Sequence, residues 1–322
     1  MAELKDKIQN ALDEARMLVL GSQILVGFEF RAAFDAGFER LTPHAQYMKM
    51  LSLGLMLLAV ALIMWPSAYH RLAARGEDTP AVHRFTTRVL CLALLPFAVG
   101  LGLDVFVAVE LLYGTLAATA AGVMIGLLAL FFWYGLEVWR RLKLPAEHER
   151  ELAMSKEQEA EAGGGSKIKD KIKHVLTEAR TVLPGAQALL GFQFISIFTD
   201  AFTKLPASSK SLHLVCLALV ALSVILLMTP AAYHRIVEEG EETEQFHRFA
   251  SRVLLAAMVP LALGVCGDFY VVLRKVTESA TLSAVVAALL LAVFYGLWFG
   301  YTTYARRQRP RAAPREANAT AD

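Results

Sequence analysis

The amino-acid sequence predicts an all-α integral membrane protein, with eight transmembrane helices arranged as two parallel four-helix repeats. Three observations carry that expectation. Hydrophobic residues make up 56% of the 322 positions, mean hydropathy is +0.46, and the apolar residues gather in long stretches almost free of charge. A near-identical passage occurs twice, "PSAYHRLAARGEDTPAVHRF" from Pro66 and "PAAYHRIVEEGEETEQFHRF" from Pro230. Basic residues, finally, collect in alternate connections.

Stretches such as Met48–Trp65, Val89–Val109 and Leu116–Leu136 are long enough to cross a bilayer, since about 20 apolar residues span a hydrocarbon core of ~30 Å. A soluble helical protein would keep a charged face on such helices. These have none.

The repeat offset is 230 − 66 = 164 residues. It also relates Glu14-Ala-Arg16 to Glu178-Ala-Arg180 and Gly27-Phe28 to Gly191-Phe192. In the same way Arg88, Pro96, Gly100 and Asp104 answer to Arg252, Pro260, Gly264 and Asp268. Spans are expected near Met17–Phe38, Met48–Trp65, Val89–Val109 and Leu116–Val138. In the second copy they fall near Thr181–Phe202, Leu212–Thr229, Val253–Leu273 and Leu282–Tyr301. The first span of each copy carries the weakest signal, because Glu29, Arg31 and Asp35 interrupt one of them. An interfacial or partly buried helix is the alternative there.

The chain thus divides into a first membrane repeat (1–144), an acidic and Gly-rich linker (145–166), a second repeat (167–305) and a basic tail (306–322). The linker carries Glu147, Glu149, Glu151, Glu157, Glu159 and Glu161 ahead of Gly163-Gly164-Gly165, and reads as a soluble helix followed by a hinge. The tail, rich in Ala and Pro, reads as disordered.

Orientation follows from Lys and Arg in the short loops. Lys5, Lys7, Arg16, Arg71, Arg75, Arg84, Arg88, Arg140, Arg141 and Lys143 all fall on one side if each copy has four spans, and the second copy repeats the pattern. Both termini are then cytoplasmic in a bacterial inner membrane. The charged, amphipathic N-terminus lacks the apolar core of a signal peptide. An even span count makes the repeats parallel, related by an axis along the membrane normal.

The repeated passage falls in the cytoplasmic connection between the second and third spans. Pro66 and Pro230 sit at the expected helix exit, Tyr69 and Tyr233 suit the interface, and Thr79 with Pro80 forms a helix start. His70, Glu77 and His83, or His234, Glu241 and His247, offer metal-ligating side chains, but at no common ligand spacing and beside Arg71, Arg84 and Arg88. A pH-sensing histidine cluster is a second option. Anchoring to anionic lipid through Arg71 and Arg235 is the third, and it is the preferred reading.

Within the spans, Arg88, Leu92, Pro96, Gly100 and Asp104 recur every four residues and form one expected inward stripe, matched by Arg252 to Asp268. Ionisable residues at membrane depth point to an ion or proton path. The competing reading places Asp104 near the outer interface as a wet structural group. Glu29 matches Gln193 and Gln23 matches Gln187, so a polar group is kept at each position, but only Glu29 of the first pair can ionise. Glycine pairs at Gly122/Gly126 and Gly296/Gly300 would permit close helix packing.

Cys91, Cys216 and Cys266 read as packing residues. No phosphate loop, nucleophile elbow or zinc-protease motif occurs, so no enzyme, cofactor, resident metal or nucleic-acid partner is expected. Glu-Ala-Arg before the span, "LLGFQF" at Leu189–Phe194, "PAAYHRI" at Pro230–Ile236 and "GEET" at Gly240–Thr243 together resemble a bacterial membrane family of unknown function. Its single units have about four spans, and some members carry the label sodium:proton antiporter. The first copy departs from it with "LVGFEF" and "PSAYHRL".

The resemblance implies the helical unit and brings no site residues with it. A transporter or channel for a small cation or proton, using Asp104 and Asp268 with Glu29 as an accessory, is the leading expectation. A non-transporting scaffold or stress-related partner protein is the alternative, and a lipid-modifying membrane enzyme comes third. Membrane lipid and a second copy of the chain are the expected contacts.

Overall fold

The computed structural model of the chain describes residues 2–72, 79–136, 165–236, 244–301 and 303–304. The linker to residue 164, the middle of both repeated connections and the tail from 305 lie outside the described residues. Within them the chain is helical and contains no strand.

Helix α1 (Ala2–Ala33) leads through a short turn of helix, α2 (Ala36–Glu39), into α3 (Pro43–Leu72) and α4 (Pro80–Leu130). The second copy repeats the order with α5 (Gly165–Ser196), α6 (Asp200–Thr203), α7 (Ala207–Ile236), α8 (Glu244–Thr277) and α9 (Ala280–Tyr295). Both copies end in a π-helical turn, at Phe131–Gly135 and Gly296–Tyr301.

Five of these stretches are long and apolar enough to cross a membrane: Pro43–Pro66, Pro80–Gly135, Ala207–Tyr233, Gln245–Thr277 and Ala280–Gly300. The second is 56 residues long, over twice what a bilayer requires. It bends back at Gly114, whose φ of 76° is open to glycine at little cost. Gly102 and Gly122 then bring the two arms of α4 into backbone contact, because a Cβ on either would collide with the other's carbonyl oxygen. The Gly122/Gly126 pair therefore packs as expected, whereas Gly296 and Gly300 face no neighbouring helix among the described residues. The second copy turns at the equivalent residue, Glu278 (114 + 164), also at positive φ.

α1 and α5 are not among the long apolar stretches. They lie side by side and advance in the same direction. Gly21 meets Gln187, Phe28 meets Phe192 with ring centroids 4.2 Å apart, and Gly37 meets Phe198. Around this pair, α3 packs on α4 and α7 on α8. The second arm of α4 crosses to α7 of the other copy, where Trp133 Nε1 donates to the Ile225 carbonyl (3.1 Å). α9 rests on α8 and buries only Ser283 and Ala287.

The repeated passage has a structural use. Tyr69 stacks on Phe85 at 4.1 Å, and Tyr233 packs on Phe249 at 4.3 Å, the same pair in each copy. The rings clasp the end of one helix to the start of the next. The Thr79 side chain accepts from Val82 N and Pro80 opens the helix, as the sequence predicts. Pro66 and Pro230 depart from expectation, lying inside helices that run on to Leu72 and Ile236. A helix tolerates a proline where neighbouring packing holds the next turn, and the Tyr–Phe clasps supply that packing.

Candidate functional site

The expected stripe on the third span is only half realised. Pro96, Gly100 and Asp104 are buried, but Arg88 and Leu92 are exposed; in the second copy Pro260 and Gly264 are buried while Arg252 and Ala256 are exposed. Steps of four residues overshoot a full turn by about 40° each. Five such residues therefore wind about the helix instead of forming a straight inward row. The Asp104 carboxyl itself is 0% exposed, which corrects the picture of a wet interfacial group.

Asp104 faces two residues from other helices. Lys49, on α3, donates from Nζ to Asp104 Oδ1 at 2.9 Å and also forms an ion pair with Glu29 on α1. The ammonium sits over the rings of Phe194 and Phe198, 5.4 and 5.8 Å from their centroids. All three charged side chains are at most 1% exposed. Charges so placed persist only when paired. Two carboxyls meet one ammonium, and Glu29 Oε1 and Asp104 Oδ2 are buried without a hydrogen-bond partner. The cluster is a sealed brace joining α1, α3 and α4, roofed by the second copy's α5.

The second copy places a related triad at the same positions, each 164 residues on: Gln193 for Glu29, His213 for Lys49 and Asp268 for Asp104. His213 Nδ1 lies 2.8 Å from Asp268 Oδ1, and Nε2 lies 3.1 Å from the Gln193 carbonyl oxygen. Gln193 Nε2 donates to Asp268 Oδ2 at 2.5 Å. Both imidazole nitrogens thus face acceptors, an arrangement that suits the doubly protonated ring, in which both are donors.

Unlike its counterpart, this triad is open. The Asp268 side chain is 22% exposed and lines a cavity of about 280 Å³, with Phe192, Phe202, Val265 and Val272 among its walls and Lys275 also lining it. The difference has a packing cause. Phe194 and Phe198 close the first triad, but their equivalents Phe30 and Phe34 are 45% and 86% exposed and cover nothing comparable in the second.

The structure brings Asp104 together with Glu29, and Asp268 with Gln193. It does not bring Gln23 and Gln187 to either triad. Gln23 is exposed beside Met64, and Gln187 is buried against Gly21 with no hydrogen-bond partner for its amide.

Of the repeated connections, Tyr69 and Tyr233 belong to the ring clasps. Glu77 and Glu241 lie outside the described residues, as do the side chains of Arg71, His234 and Arg235. His70 and His83 are described, as is His247, whose carbonyl accepts from Ser251 Oγ. Among the described residues, no three His, Cys, Asp or Glu side chains converge as metal ligands would.

Lys49 and His213 were not apparent from sequence as site residues. Each falls in the first turn of an expected span, where a polar residue reads as an interface group. The signal was present in the repeat offset, which aligns the two cation-forming residues with each other.

The sequence profile of a family of unknown function (DUF6328) matches the chain twice, over residues 3–137 and 165–302. The chain belongs to this family. Each match contains one complete triad, so the family unit coincides with the unit that builds the site. No curated protein and no solved structure matches the chain.

Proposed function

We propose that this DUF6328 protein moves protons or a small cation across a bacterial inner membrane, in the manner of a sodium:proton antiporter. The reading takes it as eight spans in two parallel repeats, with α1 and α5 as the first span of each copy and both termini cytoplasmic. Support for the parallel arrangement comes from Phe28 and Phe192. These are equivalent residues that touch each other, as happens where paired units meet across their own symmetry axis. Support for the orientation comes from the basic connections, which leave the loops around Thr199 and Lys275 on the outer side.

One observation carries the transport reading: a hydrogen-bonded His213–Asp268 pair, set among apolar helices, lines a cavity. A carboxylate and an imidazole in contact can exchange a proton with whatever enters, because imidazole titrates near neutrality. The first triad, closed and held by a lysine, acts as the structural counterpart. The reading includes no catalysed reaction, cofactor or nucleic acid. Lipid covers the exposed apolar side chains of α9, and the molecule can pair with a second copy.

Proton uptake in liposomes tests it. Wild-type protein is expected to collapse an imposed pH gradient faster than empty liposomes, with a small monovalent cation on the opposite face accelerating the exchange. Correctly inserted protein that moves neither ion under any gradient would leave the scaffold reading in its place.

A further inference from the structure

The two triads differ in a way that points to what the open one holds. In the first copy an ammonium, the Lys49 Nζ, lies between a carboxylate on α1 and one on α4, over two aromatic rings. In the second copy the lysine is replaced by a shorter histidine, and a cavity with its own aromatic residues takes up the adjoining space. Lys49 serves there as a tethered ligand, and its counterpart site has lost the tether.

We infer that the cavity against Asp268 is a binding site for a monovalent organic ammonium ion with an apolar body. The inference rests on the reading of the second triad as an exchange site, and it names the class of cation exchanged.

Four features of the cavity fit that class. Its volume of about 280 Å³ is near the small end of pockets that enclose whole molecules, roughly 300–1,000 Å³. The walls are mainly apolar, and a bare inorganic cation would instead need a cage of oxygen atoms. Beside Asp268, which Gln193 Nε2 and His213 already contact, one acceptor goes unmet: Gln193, 5% exposed, keeps Oε1 buried without a hydrogen-bond donor. An ammonium supplies the missing N–H groups. Phe192 and Phe202 line the same space, and aromatic faces attract alkylammonium ions.

The titratable groups facing the site are His213 from α7 and Asp268 and Lys275 from α8, with the Cys216 thiol of α7 near Asp268; α5 contributes only the neutral Gln193 and Ser196. Lys275 lies two turns from Asp268 on the same helix. Its charge disfavours a divalent ion about twice as strongly as a monovalent one. His213 competes with the ligand for Asp268. When the ammonium binds, the imidazolium gives up its proton to the cavity water, and the ligand's N–H groups replace the imidazole at Oδ1. Charge is conserved as one cation enters and one proton leaves.

The probe is phenethylammonium chloride, titrated calorimetrically into the purified full-length protein in detergent. Binding is expected to release protons and to be up to about tenfold tighter per pH unit between pH 6 and pH 8. Asp268→Asn, which keeps the side-chain volume, should weaken it at least tenfold at an unchanged melting temperature. His213→Lys installs the tethered ammonium of the first copy and should block the site. No binding by wild type, equal binding of neutral phenethyl alcohol, or undiminished binding by Asp268→Asn would each overturn the inference. Proton uptake that persists without amine binding removes this inference alone. Binding without any flux removes the transport reading instead.

Discussion

Replacing Lys49 with methionine is expected to destabilise the protein by about 3–5 kcal/mol, the range seen when one partner of a buried ion pair is removed. Methionine keeps the length and apolar character of the lysine stem, so packing changes little. What changes is the charge. Glu29 and Asp104 would face each other with neither water nor a cation between them, in a space that is at most 1% exposed. The sharper form of the prediction is its rescue. Adding Glu29→Gln and Asp104→Asn removes both stranded charges and should recover most of the loss, because a neutral cluster can hydrogen-bond to itself. Melting of the three proteins in detergent provides the check. An unchanged melting point in Lys49→Met would mean that the triad is hydrated and not the brace described.

His213→Asn is expected to lower proton flux at least tenfold and to flatten its pH dependence across the range in which the imidazole titrates. Asparagine can still donate to Asp268 but takes up no proton in this range. The Gln193 carbonyl, which faces Nε2 in the wild type, loses its contact. Below the imidazole range the wild-type ring is charged and holds Asp268; above it the carboxylate is released, so wild-type flux should change with pH between the two regimes. Initial rates of dye-monitored uptake from pH 6 to pH 8 would show the change in wild type and its absence in the variant. A wild-type profile retained by the variant would remove His213 from the path.

The helices were legible in the sequence because hydropathy and the repeat offset depend on local composition. Each of the eight expected spans overlaps a helix, although Met17–Phe38 and Thr181–Phe202 run across the breaks after Ala33 and Ser196 and Leu116–Val138 runs past the described residues; Thr79 and Pro80 start α4 as their chemistry requires. Helix ends were less legible. Proline alone reads as an exit at Pro66 and Pro230, but the ring clasps that hold the following turn are contacts between helices. Only the pairing of Tyr69 with Phe85 could have announced them.

At the site, Asp104, Asp268, Glu29 and Gln193 were visible as polar residues within apolar runs. Their partners were not, since Lys49 and His213 lie at span edges where a charge is unremarkable. The asymmetry between the copies was the least visible feature. It depends on Phe194 and Phe198 covering the other copy's lysine while Phe30 and Phe34 remain exposed. That is a fact of quaternary-like packing, absent from either repeat read singly.

The central claim is that two homologous triads have separated into a brace and a path. The most direct measurement compares proton uptake by liposomes containing Asp104→Asn and Asp268→Asn at equal insertion. Both substitutions keep side-chain volume and remove one carboxylate from equivalent positions. The account predicts that Asp104→Asn retains at least about half of wild-type flux, because Glu29 still holds Lys49, whereas Asp268→Asn loses tenfold or more, as expected when a pathway carboxylate is neutralised. Equal flux in the two variants, or loss confined to Asp104→Asn, would contradict it.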